Sequence, residues 1–283
     1  MEYIRIWSYR HLIKKIFITV KTYPSISYSY GELVCTAGFT ERGDFIRIYP
    51  IPFRKLEKEL KYKKYQWVEM DIERNKSDFR PESYNLVNID NIKLLNEVKT
   101  INNWQERKDI IFKNKNNLYF DLDSLIRNSK ITCSKCVSLA IFKPKKILEF
   151  IIENEKEIDW DKNKLDAIYS QGNLFEKDTF KLVKKLPYRF YYKFTDKNNK
   201  KSKLLIEDWE IGSLFWNCLK RSNGGEKLAC DLVKKRYLDI ANNNDIYLFL
   251  GTTIKHHIRH SKNPFIIIGV FYPKKEEQHL LKI

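Results

Sequence analysis

The chain has 283 residues, 43% hydrophobic and 31% charged, which is the composition of a folded protein with room for one large domain or two small ones. No run approaches the ~18 uninterrupted apolar residues of a transmembrane helix, and the opening residues MEYIRIWSYRHLIKK lack a secretory leader's apolar stretch, so a cytoplasmic location without membrane partners is expected. Lys and Arg number 53 against 36 Asp and Glu, a net charge of +17, and such an excess attracts a polyanion, with nucleic acid ahead of an anionic lipid surface.

Taken along the chain, residues 14–20 (KKIFITV) read as a strand. Residues 31–38 and 44–49 read as two more, joined by the turn Thr40-Glu41-Arg42-Gly43, and Pro50 and Pro52 end the second. A short helix is expected over 54–61, a half-buried strand over 65–73 and a short strand near 89–95. Helices are expected over 102–114, capped by Asn102 or Asn103, and over 121–128, capped by Asp121. Strands at 137–142 and 147–152 flank the turn Lys143-Pro144-Lys145-Lys146, and a helix runs over 159–171.

The C-terminal part is more sharply patterned. Residues 188–195 alternate as a strand, Asn198-Asn199-Lys200 turn, and 202–206 return. Asp208 is a good N-cap for a helix whose buried face is Ile211, Leu214, Phe215, Cys218 and Leu219. Gly224-Gly225 breaks it, and 226–241 form a second helix with Ala229, Leu232, Val233, Tyr237 and Ile240 on one side. The apolar runs 246–250 and 265–271 are central strands of a buried sheet, with a helix from Ile254 to His260 between them. The fold class is α+β, with mixed or antiparallel sheets and packed helices. It forms either a single domain or two lobes, a β-rich one at 1–130 and an α+β one at 131–283, around a basic cleft.

Aromatic residues make up 14% of the chain and interleave with basic ones, as in KYKKYQW and YRFYYKF; bases stack on such rings while cations hold phosphates. Four clusters follow from this reading. The loop from Arg74 to Ser83 sets Arg74 and Arg80 beside Asp78 and Glu82, which suits phosphate binding with a carboxylate to activate water. Arg47 and Tyr49 share a strand face ahead of a proline turn that presents Arg54. Glu207, Asp208 and Glu210 gather at a helix start, where Glu207 and Glu210 are three apart and point to one side, and Trp209 and Trp216, seven apart, are expected to line the same pocket as these carboxylates. Lys255, His256, His257 and Arg259 make a basic helix suited to phosphate, although His256 and His260 also have a metal-binding spacing. Capping, solvated turns and sheet edges account for the same residues without any function.

Five cysteines, Cys35, Cys133, Cys136, Cys218 and Cys230, are too sparse and uneven for a disulfide framework, and the lone Cys133-Ser134-Lys135-Cys136 lacks the second pair of a zinc site. There is no phosphate loop and no dinucleotide fingerprint.

The stretches YGELVCTAGF, IRIYPIPFR, KYQW, RPES, IEDWEIG and YLFLGTT–PFIIIGVFYP resemble segments of an uncharacterised family of bacterial proteins of similar length. The resemblance spans most of the chain and implies no settled activity or cofactor. Two functions are therefore expected from the residues themselves. One is a hydrolytic enzyme acting on DNA or RNA, either a base-excising glycosylase without a cofactor or a nuclease using Mg²⁺, with defence against foreign DNA as a compatible role. The other is a non-catalytic module that recognises a particular or modified nucleic acid.

Overall fold

The computed structural model describes residues 12–28, 31–131, 135–171, 182–259 and 261–275. The first sheet contains β1 (Leu12–Lys21), β2 (Ser25–Ser27), β3 (Gly31–Thr40), β4 (Phe45–Ile51), β5 (Gln66–Arg74), β6 (Ser83–Leu86) and β7 (Lys93–Glu97). Hydrogen bonding runs β1-β3-β4-β6-β5, and β5 pairs back onto β1, so five strands close into a small barrel. β4 and β6 are parallel while the other four seams are antiparallel. Closure leaves no open edge among these five strands. The expected hairpin at 31–49 is present, β4 continues through Pro50 to Ile51, and the expected helix at 54–61 is two 3₁₀ turns.

The remaining elements are α1 (Ile101–Ile111), β8 (Leu118–Tyr119), α2 (Leu122–Ser129), β9 (Leu139–Phe142), β10 (Lys146–Asn154), α3 (Lys162–Gln171), β11 (Tyr188–Thr195), β12 (Lys201–Ile206), α4 (Trp209–Arg221), α5 (Glu226–Asn243), β13 (Tyr247–Thr252), α6 (Ile254–Ile258) and β14 (Phe265–Phe271). They build a mixed second sheet in the order β10-β11-β12-β14-β13-β9-β8. The chain is thus α+β, with one barrel-like sheet and one open sheet. Among the described residues no helix is long and apolar enough to cross a membrane.

The period of two in each strand assigns the layers. In β1, Ile16 and Ile18 point into the barrel with Val34, Ile48, Val68 and Met70, while Phe17 points out. That outer face, with Ala37, Phe39, Phe45 and Tyr65, packs on Leu139, Ile141, Phe249, Ile268 and Phe271 of the second sheet. Phe249 meets Phe45 edge-on at 5.7 Å and Phe39 at 6.0 Å. The opposite face of the second sheet, including Phe190, Tyr192, Leu248 and Ile267, is covered by α2, α4 and α5. Three layers result, and the middle sheet is buried on both sides. Aromatic side chains fill the centre of the junction between the two sheets.

Two helix expectations need correction. Asn102, Asn103 and Trp104 all have positive φ (48°, 49° and 63°), so neither Asn caps α1 and regular helix starts only after them. Asn103 instead exchanges hydrogen bonds with the Lys274 backbone, at 3.0 and 2.7 Å. On α5, Leu232 is exposed, whereas Ala229, Cys230, Val233, Tyr237 and Ile240 are buried.

Candidate active site

The site begins with the cap of α4. The Asp208 backbone bridges Thr22 at the end of β1, and Glu207 N–H donates to Ile267 O of β14 at 2.8 Å. The cap is thus clamped between barrel and second sheet. Asp208 Oδ1 accepts Ile211 N–H at 2.7 Å and the Tyr237 hydroxyl at 3.4 Å. Beside it a cavity of about 230 Å³ is lined by Lys64, Tyr65, Asp208, Glu210, Leu214, Arg236, Tyr237, Ile240, Val270 and Tyr272. That volume is below the ~300–1,000 Å³ of drug-sized sites and suits one planar ring system.

The cavity wall is polar in an unusual way. Lys64 Nζ pairs with Glu210 Oε1 at 3.2 Å, while Glu210 Oε2 and the Tyr65 hydroxyl are buried with no hydrogen-bond partner among the described residues. Leaving a buried polar group unpaired costs about 1–3 kcal/mol, so both atoms are held there at a cost. Tyr65 also has φ of 65°, a left-handed conformation that a bulky side chain rarely takes. Its backbone is fixed there, with its N–H donated to Ile18 O at 2.6 Å and its O accepting from Val98 N at 2.9 Å. Behind it, Trp104 meets Tyr65 at 5.8 Å and Tyr272 at 5.2 Å.

Electrostatics follow from burial. Desolvation, reinforced by Glu210 and opposed by Lys64, pushes the Asp208 carboxyl up to about 7. Burial lowers Lys21 to about 8 against the pull of Glu210. Its ammonium lies 4.3 Å from the Phe53 ring centroid and 5.5 Å from that of Trp209. Burial opposes the charge of Lys64, but Glu210 holds that ammonium above its ordinary value. Burial also raises the Tyr65 phenol to about 12. Asp208 is therefore a group able to give or take a proton at neutral pH, set beside an ion pair and three phenol rings.

Of the acids expected from the sequence, Asp208 and Glu210 share this cavity. Glu207 does not: it precedes the cap, so the helical three-residue spacing does not apply, and it is exposed near Arg189 and Glu155. Trp209 and Trp216 do not line this cavity; they line a second cleft of about 380 Å³ with Tyr23, Arg54 and Lys184, along another face of α4. Arg54 Nη1 donates to buried Glu32 Oε2 at 2.5 Å, and Glu32 also accepts from Val183 N at 2.7 Å.

The cluster of Arg47, Asp78, Arg80 and Glu82 forms elsewhere, and in the interior. Arg80 Nε donates to both Asp78 oxygens at 2.8 and 3.1 Å, and its Nη1 donates to Thr252 O at 2.5 Å. Arg47 Nη1 reaches Ser83 Oγ and Ser138 Oγ at 3.2 Å each, and its Nη2 reaches Ser138 O at 3.3 Å. Glu82 accepts from Ser138 N at 2.9 Å and Oγ at 2.8 Å. Burial would raise the Asp78 carboxyl, but the Arg80 bonds hold it at about 2. Burial and Arg80 lower the Arg47 guanidinium. The structure thus places buried Arg47, Asp78 and Arg80 and half-buried Glu82 in a staple between barrel and second sheet, not on a phosphate-binding surface.

Around the staple, His257 is half-buried, with Nδ1 3.3 Å from Thr252 Oγ1 and its ring edge-on to Phe79 at 5.0 Å; burial and Arg80 lower its pKa. Lys255, His256 and Arg259 are exposed on and just after α6, and Tyr49 and Arg74 are exposed on the barrel. Arg74 donates to Ser83 O and lies 5.7 Å from the Tyr84 ring centroid. His260 and Cys133 lie outside the described residues, and with them the His256–His260 pair and the Cys133–Cys136 motif. Among the described residues no three His, Cys, Asp or Glu side chains gather as metal ligands.

Residues 122–282, more than half of the chain, match the family described as domain of unknown function DUF8757. The chain belongs to the DUF8757 family. Residues 13–113 match a second family, domain of unknown function DUF8758, and no curated protein matches the sequence at a significant level. The resemblance to a family without settled function therefore holds. The cavity is assembled across both matches: Lys64 and Tyr65 come from the DUF8758 segment, and Asp208, Glu210, Tyr237 and Tyr272 from the DUF8757 segment. Lys64 and Tyr65 had one sequence signal, the basic-aromatic run KYKKYQW. Tyr237 had another, a hydroxyl on an otherwise apolar helix face.

Proposed function

We propose that this DUF8757 protein is a cytoplasmic hydrolase acting on nucleic acid, and that it takes one base into the cavity beside Asp208. The observation that carries the reading is a buried carboxyl, poised near neutrality, on the wall of a ring-sized cavity with Tyr65, Tyr237 and Tyr272. The net charge of +17 supports a polyanionic substrate. Enzymes that act on bases take them out of the stack and read them by hydrogen bonds and ring contacts. Tyr65 and Glu210 both line the cavity, and a turn of their side chains would offer the Tyr65 hydroxyl as a donor and Glu210 Oε2 as an acceptor for such an edge.

In an excision reaction the bond between sugar and base breaks, and its electron pair leaves with the base nitrogen. Protonated Asp208 supplies the proton that nitrogen needs. The carboxylate of Glu210 steadies the positive charge on the sugar, and water adds to the anomeric carbon and loses its proton to the ionised Asp208. The products are a free base and an abasic strand, and the carboxyl is restored.

A second reading has its own observation. Asp208 also caps α4, and a cap alone accounts for its burial, so the same cavity serves a non-catalytic reader of nucleic acid equally well. Purified protein is incubated with plain and base-modified DNA and with RNA, with Mg²⁺ or with EDTA, and run on denaturing gels with and without alkali. Breaks that need alkali and survive EDTA are the expected result. Direct breaks that need Mg²⁺ would replace excision by nuclease chemistry. Intact strands with a native-gel shift would leave the reader, and neither breaks nor a shift would overturn both readings.

A further inference from the structure

The first turn of α4 borders two cavities. Asp208 and Glu210 face the one described above, while Trp209 lines the second cleft with Trp216, Tyr23, Pro24, Ser213 and Lys184. The second cleft is built, not incidental. Trp216 Nε1 donates to the Tyr23 hydroxyl at 2.7 Å, and that hydroxyl donates to Lys184 O at 2.7 Å. Phe53 meets Trp209 edge-on at 5.5 Å, which fixes the second indole. Gly212 lets Tyr23 lie against the helix, since a Cβ there would stand 2.1 Å from the Tyr23 ring. Lys184 is exposed at the rim, with Nζ 5.7 Å from the Trp216 ring centroid.

We propose that this cleft seats the nucleotide next to the one in the Asp208 cavity, with its base against Trp209 and Trp216 and its phosphate at Lys184. The inference rests on the proposed nucleic-acid reading and adds where the strand runs. Two indoles held by their neighbours give a stacking platform that costs little to order, and every base has a face that can use it. Both cavities border α4, and Trp209 stands between Asp208 and Glu210 in the chain, so the two share its first turn.

The test is fluorescence anisotropy of a labelled short single-stranded oligonucleotide, offered as DNA and as RNA, at several salt concentrations. Trp216→Leu is expected to weaken binding between about fivefold and 150-fold, which is ~1–3 kcal/mol per stacked base at 1.4 kcal/mol per tenfold. The slope of affinity against salt is expected to stay as in the parent, because no phosphate contact is lost. Trp216→Phe keeps a ring and is expected to bind nearly as the parent does. Parent-like binding by Trp216→Leu, or an equal loss in Trp216→Phe, would overturn the cleft inference and leave the nucleic-acid reading standing. Failure of the unsubstituted protein to bind either strand would instead remove that reading, and the cleft inference with it.

Discussion

Asp208 combines two duties that a substitution can separate. Its folded carboxyl titrates near 7, above the ordinary 3.8, so the folded state holds an extra proton between those values. The contribution to stability is full below about 4 and is lost as pH rises through 7. Asn caps a helix as well as Asp does and does not titrate. Asp208→Asn is therefore expected to abolish base release, flatten the decline in stability between pH 4 and 7, and melt at pH 8 no lower than the parent. Calorimetry at pH 5 and pH 8 reads the stability, with base release measured alongside, and undiminished release by Asp208→Asn would make the residue a cap and nothing more. Asp208, Trp209 and Glu210 were legible because an N-cap followed by an acid is a local pattern. Lys64, Tyr65 and Tyr272 were not, because only tertiary closure brings them to α4. Arg47 and Arg80 were misplaced for a related reason: a guanidinium reads as surface until its buried carboxylate and carbonyl partners are known.

At the scale of elements, α4 is positioned by Gly212 as much as by its cap. In an unhindered helix, replacing Gly by Ala gains ~1 kcal/mol. Here the new methyl meets the Tyr23 ring, which is held by Trp216 and Lys184. Gly212→Ala is expected to lower stability by about 1–3 kcal/mol in denaturant unfolding. A gain would show that Tyr23 swings away freely. Long strands such as β1, β5, β11 and β14 were legible from alternation or apolar runs. β2, β6 and β8, each of two to four residues, carry too little pattern and are defined by the strands they join. The start of α1 failed for a different reason. Its two Asn side chains favour a cap locally, but the backbone there is left-handed and Asn103 is bound to the Lys274 backbone.

For the whole molecule, the aromatic layer between the sheets makes barrel and second sheet share one core. Phe249 is fully buried in it and touches Phe39, Phe45 and Phe271. Phe249→Ala is expected to cost about 3–5 kcal/mol, with far-UV dichroism and tryptophan fluorescence still changing together. Two separated transitions would mean that each sheet is stable alone. This layering was only half legible. The sequence marks the apolar strands β13 and β14 as buried on both faces, but nothing local says that the second face is covered by a barrel made of the first hundred residues.

That layering also has a consequence in time. The strands of the first sheet end at Glu97, while its aromatic outer face waits for Phe249, Ile268 and Phe271. At ~5–20 residues per second, a ribosome takes roughly 9 to 35 seconds to cover that distance. Through that interval Phe17, Phe39 and Phe45 form a greasy patch on a nascent chain. The wait between the synthesis of the first sheet and the arrival of β14 therefore leaves apolar surface open to aggregation.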